Sequence, residues 1–166
     1  MIDGRLAGAG TGGSVPASAS YTIDPFSADT KEAFLLEHII DGRVLYPFTG
    51  YMILAWKTLC KFKGLDYLKT PVILENINVF NATILTKPIR LDVIITPGHG
   101  DFEIIDGDQL AASGRIYIPE ENRPFYYSDL SLIKTSKIAE RTELDREDAY
   151  KEFLLRGYEY GPGFRG

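Results

Sequence analysis

An α+β fold, in which one long apolar helix is wrapped by an antiparallel sheet, is predicted by three features of this 166-residue chain. The segment FTGYMILAWKTLCKFKG (48–64) is apolar over most of a helical circumference. Four β-rich segments follow it. They are joined by short turns containing glycine or proline, which make neighbouring strands antiparallel.

The first twenty residues, MIDGRLAGAGTGGSVPASAS, are mostly Gly, Ala and Ser, a composition read as a flexible linker over 1–20. They contain Gly8-x-Gly10-x-x-Gly13, but no strand precedes that string and no helix follows, so it is not read as a dinucleotide site. SYTIDP (20–25) reads as a short strand, and AFLLEHII (33–40) as an apolar segment ending in a turn at Asp41-Gly42. RVLYP is extended and stops at Pro47, and Thr49 is the expected N-cap of the helix over 48–63. Tyr51, Leu54, Ala55, Leu59 and Phe62 fall on one stripe, while Met52, Ile53, Trp56 and Cys60 make another side apolar, so this helix is expected to be the most buried element. Lys61, Lys63 and Gly64 supply the stop.

Strands are then expected at 72–85, 89–97, 101–106 and 110–120, with Leu91, Val93 and Ile95 on one buried face. A long apolar helix followed by an antiparallel meander able to curl around it is the hot-dog architecture. Residues 121–143 are polar and read as a surface loop, completing a first unit over 21–143. LDREDAYKEFLLRG (144–157) reads as a second helix with Asp145 as N-cap and Gly157 at C′. The closing GYEYGPGFRG is expected to begin a strand, so 144–166 reads as the start of a second, truncated unit.

Composition narrows function. A net charge of −5 with dispersed Lys and Arg disfavours nucleic-acid binding. No apolar run approaches the roughly 20 residues of a membrane span, no signal peptide is legible, and the cytoplasm is the expected compartment. The single cysteine, Cys60, reads as a core side chain. Two histidines and one cysteine are too few for a zinc cluster, and neither a Gly-x-Ser-x-Gly elbow nor a phosphate loop is present, so no metal or nucleotide site is expected.

His99, in Gly-His-Gly, reads as a solvated turn residue. His38 leads His38-x-x-x-Gly42-x-x-x-x-Pro47 immediately before the helix. A histidine there could remove a proton beside a carbonyl whose oxygen faces the helix N-terminal N–H groups. A satisfied, half-buried histidine fits the same residues equally well.

The resemblance to a known family decides between them. EHIIDGRVLYPFTGYMILAWKTL (37–59) resembles the signature of the dehydratase domains of animal type-I fatty acid synthases, and polyketide synthase dehydratases share its His-x-x-x-Gly-x-x-x-x-Pro core. LENINVFNATIL (74–85) is similar to the family's next long strand, and GYEYGPGF (157–164) to its Gly-Tyr-x-Tyr-Gly-Pro-x-Phe segment.

The resemblance covers about 21–166 and implies the first half of a double hot dog, with the active site between the halves. It implies that His38 removes the α-proton of a 3-hydroxyacyl thioester carried on the phosphopantetheine arm of an acyl carrier protein, with no metal or redox cofactor. The Phe48 N–H, after Pro47, would polarise the thioester carbonyl, and Gly42 would aim His38. Tyr158, Gly161 and Pro162 would lie near the site. The implied partners are the carrier domain, the second hot-dog half, other synthase domains and a second copy in a homodimeric parent.

The family's acid, usually Asp, belongs to the second half, and no carboxylate in 1–166 matches it; Asp41 reads as a turn residue. Gly163 and Arg165 are smaller departures with no consequence assigned. The isolated chain is therefore expected to lack turnover and to associate. A hot-dog thioesterase and a non-catalytic structural half-domain are the rival readings.

Overall fold

The computed structural model describes residues 16–120 and 144–165. The expected loop at 121–143 and the Gly8-x-Gly10-x-x-Gly13 string lie outside them. One five-stranded antiparallel sheet carries the unit: β1 (Ala17–Ile23), β4 (Ile73–Val79), β5 (Ile89–Ile95), β6 (Asp101–Asp106) and β7 (Gln109–Tyr117), in spatial order β1-β5-β6-β7-β4. A two-residue hairpin, β2 (Ile39–Ile40) with β3 (Arg43–Val44), stands apart from it. The long helix α1 (Phe48–Lys63) packs on one face of the sheet, and α2 (Arg146–Leu155) follows near the end of the chain. This is the hot-dog arrangement.

Alternation sets the sheet's inner face. Leu91 and Val93 are fully buried and Ile95 nearly so, while Ile94 between them faces outward. Phe102, Ile104, Ala112 and Ile116 from β6 and β7 continue that face. Burying each large side chain of this kind contributes roughly 1.5–3 kcal/mol. From α1, Tyr51, Leu54, Ala55 and Leu59 meet it, and the Thr58 hydroxyl is satisfied by the Leu54 carbonyl at 2.8 Å and by the Tyr21 hydroxyl of β1 at 3.0 Å. Cys60 is buried, and burial pushes its thiol pKa up.

Several sequence expectations are corrected. β1 begins at Ala17, inside the stretch read as linker and three residues before the expected strand, because pairing with β5 (Ala17 opposite Ile95, Ser20 opposite Asp92) uses backbone and tolerates small side chains. Residues 1–15 lie outside the described set. The strand expected over 72–85 ends at Val79: Asn76 takes φ +53, the register with β7 shifts, and Thr83 and Leu85 turn away to bond Tyr46 and Val44. Thr49 is not the N-cap; the extended Pro47 is, and no side chain caps this end.

Phe62 is 57% exposed and Lys61 and Lys63 beside it are exposed too, so α1 is covered less along its last turn than along its middle. It is thus less buried than β5. Its C-terminus closes as expected, with Gly64 left-handed at φ +67. Asp145 caps α2 by accepting from the Asp148 N–H at 2.8 Å, and Gly157 follows at C′ with φ +84. The expected strand in the closing segment is a single bridge, Ile40 to Tyr158, and a 3-10 helix at Pro162–Phe164, because Pro162 has no N–H to continue a ladder.

Candidate active site

His38 is held from both its backbone and its ring. It ends a 3-10 helix (Ala33–Glu37) and immediately precedes β2. Its N–H donates to the Leu35 carbonyl at 3.2 Å, and its carbonyl accepts from the Leu45 N–H at 3.0 Å. Its Nδ1 lies 2.8 Å from the Leu45 carbonyl oxygen. A carbonyl can only accept, so in the neutral ring Nδ1 carries the hydrogen and Nε2 keeps a lone pair. Nε2 has no protein partner among the described residues. The tautomer needed for a base is therefore set by one backbone group.

The hairpin makes that bond possible. Asp41 and Gly42 both take positive φ, +49 and +69, a two-residue turn of the type that matches strand twist and returns Leu45 to His38. Asp41 thus serves the turn. Three residues beyond Leu45 the helix begins: Pro47 is buried, and Gly50 donates to the Pro47 carbonyl at 2.9 Å. The Phe48 and Thr49 N–H groups have no partner among the described residues, as expected of a first helical turn without a capping side chain. These donors mark the positive end of α1, suited to an oxyanion. The Phe48 side chain itself is half exposed. Gly50 is dictated by packing, since a Cβ there would lie 2.6 Å from the ring of Tyr46.

The chain after α2 closes over this corner. The Asp41 N–H donates to the Gly157 carbonyl at 2.7 Å, the Glu159 N–H to the Ile39 carbonyl at 2.8 Å, and the Gly161 N–H to the Glu37 carbonyl at 2.9 Å. The Gly42 N–H donates to Glu159 Oε1 at 2.9 Å. Tyr160 then stacks on the imidazole of His38, centroids 5.3 Å apart and planes 22° apart, and Phe164 tilts against it at 4.9 Å. Burial, with Tyr158 and Tyr150 adding smaller contributions, pushes the Tyr160 phenol up. Beside these rings opens a cavity of about 810 Å³ lined by Leu144, Ala149, Phe153, Arg156, Tyr158 and Tyr160.

Of the residues singled out in the sequence, His38, Gly42, Pro47, Phe48, Gly161 and Pro162 converge on one corner of the fold. Tyr158 packs not on His38 but, tilted, against Tyr160, at 5.7 Å. Three residues that the sequence reading left out, Glu37, Tyr160 and Phe164, make the direct contacts. The spacing of Tyr158 and Tyr160, two apart in an extended segment and so on one face, was the available signal. Gly163 and Arg165 are both engaged: the Gly163 N–H donates to Glu37 Oε2, and Arg165 Nε donates to the Tyr160 carbonyl at 2.8 Å. His99 sits in the turn between β5 and β6. It borders a separate cavity of about 450 Å³ at the C-terminal end of α1.

No family model matches the chain. It is 26% identical over 166 residues to polyketide synthase PksM of Bacillus subtilis, covering 90% of this chain and 4% of that protein. Among solved structures it is similar to the dehydratase domain from the CurF module of curacin polyketide synthase, with a TM-score of 0.66 and 21% identity over 90% of this chain and 54% of that one. It is similar also to a trans-AT polyketide synthase dehydratase domain from Brevibacillus brevis, with a TM-score of 0.66 and 18% identity over 90% and 56% of the two chains. The dehydratase domain of PpsC from Mycobacterium tuberculosis in complex with C12:1-CoA matches at a TM-score of 0.63 and 18% identity, over 90% and 50%. The chain therefore has the hot-dog fold of polyketide synthase dehydratase domains and spans about half their length.

Proposed function

We propose that this chain is the histidine-bearing half of a 3-hydroxyacyl thioester dehydratase. The observation that carries the reading is the 2.8 Å contact of His38 Nδ1 with the Leu45 carbonyl, which leaves Nε2 as the basic nitrogen. Nε2 takes the α-proton, and the electron pair of that C–H bond becomes the new carbon–carbon double bond. The bond from the β-carbon to oxygen breaks, and the hydroxyl departs as water once protonated. The enolate-like thioester oxygen formed on the way is matched by the Phe48 and Thr49 N–H groups at the start of α1. The products are a trans-2-enoyl thioester and water, and these steps need neither metal nor redox chemistry.

The proton for the leaving hydroxyl comes, in this reading, from a carboxylic acid of a second hot-dog half. Two CurK dehydratases described as inactive mutants carry the corresponding kinds of change, one a His to Phe and the other an Asp to Asn. The substrate is carried on the phosphopantetheine of an acyl carrier protein, and the chain works beside other domains of a homodimeric cytoplasmic synthase. The relatives named above support a polyketide synthase setting rather than the fatty acid synthase that the sequence motifs first suggested.

The test uses the synthase that contains this chain and a 3-hydroxybutyryl thioester, followed by enoyl absorbance. His38→Ala should lower turnover by about 10²–10⁴-fold, the usual share of a general base, with carrier-protein binding retained. Turnover within a few-fold of the parent would refute the assignment. The isolated chain should show none, and turnover by it alone would place the acid within these residues.

A further inference from the structure

We propose that Glu37 is a positioning residue, a clamp whose carboxylate and backbone carbonyl grip residues 161–163 and so seat the rings of Tyr160 and Phe164 on the His38 imidazole. Two bonds leave this one residue for one short segment: its carbonyl accepts from the Gly161 N–H at 2.9 Å, and its Oε2 accepts from the Gly163 N–H. No Lys or Arg pairs with it among the described residues, so its acceptor capacity is directed at backbone. The glycines answer to it in turn. Gly161 has φ −79, a conformation any residue adopts, yet a Cβ there would lie 2.7 Å from Glu37 Cβ and 2.8 Å from its Cγ. A Cβ on Gly163 would meet Glu37 Oε2 at 2.9 Å and Phe34 Cβ at 3.0 Å. It is space against Glu37, and not backbone freedom, that calls for glycine at 161.

The clamp sits beside the residue it serves. Glu37 and His38 are consecutive, so the grip on 161–163 fixes Tyr160 and Phe164 relative to a ring only one residue away. Nδ1 is tied to Leu45, while Tyr160 stacks on the ring and Phe164, next to Tyr160, tilts against it. A base held this way meets its substrate in one orientation.

The chain has two histidines, so its imidazole Cε1–Hε1 NMR spectrum has two signals, with His99 as an internal reference. The stacked His38 proton should be displaced upfield by the ring currents of Tyr160 and Phe164. Glu37→Ala should lose that displacement, Glu37→Gln should retain it because the amide oxygen still accepts from Gly163, and Gly161→Ala should lose it with Glu37 intact. The His99 signal and the core methyls of Leu91, Val93 and Ile104 report that each variant is folded. An unchanged His38 signal in Glu37→Ala or in Gly161→Ala overturns the clamp, as does Glu37→Gln moving the signal as far as Glu37→Ala.

The catalytic consequence rests on the dehydratase reading. In the synthase, Glu37→Ala should lower kcat by on the order of 10–10²-fold with KM little changed, as for a misplaced catalytic group, and Glu37→Gln should restore it. A His38 signal that moves while kcat stays constant leaves the clamp standing and overturns His38 as the base.

Discussion

Leu91, Val93, Ile104, Ala112 and Ile116 in the sheet are completely buried, whereas α2 has no buried residue and its Leu155 is 81% exposed. The sheet and α1 are held by apolar burial, through side chains that alternate inward along each strand. The segment 157–164 is held by five hydrogen bonds to residues 37–42, each using a backbone group, and by the rings of Tyr160, stacked, and Phe164, tilted, on His38. Burial is non-directional and fixes a fold, while hydrogen bonds and stacking are directional and fix an orientation. The region that handles the proposed chemistry is therefore oriented mainly by directional contacts, although Phe164 also packs against the core, and substitutions should separate the two.

The largest separation is expected from core truncation. Ile104→Ala should cost about 2–5 kcal/mol in urea unfolding, through lost burial and the cavity left behind. Leu155→Ala should stay within about 0.5 kcal/mol, as for an exposed side chain. Equal costs would mean that α2 is part of the same packed unit as the sheet.

Capping gives a smaller, local effect. Asp145→Ala removes the acceptor of the Asp148 N–H and should cost about 0.5–2 kcal/mol of helix stability. Read by amide hydrogen exchange, the loss should appear in α2 and leave β5, β6 and β7 protected. Uniform loss across the sheet would show that α2 does not open independently.

The same division explains what was legible in the sequence. Helix α1 was readable apart from its N-cap because its signals are local: Pro47 before it, Gly64 after it, and an apolar run between them. The inward Leu91, Val93 and Ile95 were readable because period-two alternation needs only one strand. The early start of β1 was not, since Ala17 and Ser18 become strand only by pairing with Ile95 and Ile94, more than seventy residues away. Nor was the early end of β4, which depends on a positive φ at Asn76 and on Thr83 and Leu85 being drawn to the stretch before α1. At the site, the histidine and its turn were legible as a local motif. Glu37 was silent, because its partners, Gly161 and Gly163, are far away in sequence and its role lies in their backbone.

The smallest effect tests whether the core reaches the site's edge. Tyr46 lies between them: its ring fills the space left by Gly50 in the first turn of α1, packs edge-on against Tyr51 at 5.1 Å, and is 7% exposed. Burial first, then Glu32 and Tyr51, raise its phenol pKa well above the ordinary tyrosine value, and burial raises that of Tyr51 as well. The folded protein thus keeps these protons at a pH where the unfolded chain, titrating near 10, has released them. With more protons bound in the folded state, unfolding free energy falls as pH rises: the contribution is complete below about pH 10 and is lost on going up through the folded value. Each such phenol gives a slope approaching about 1.4 kcal/mol per pH unit in that window. Tyr46→Phe removes one titration and leaves that of Tyr51, so the fall in urea midpoint between pH 9 and 11.5 should become shallower without vanishing. An unchanged slope would mean that the Tyr46 hydroxyl meets solvent, and that packing at the start of α1 is looser than the ring contacts with Tyr51 and Gly50 require.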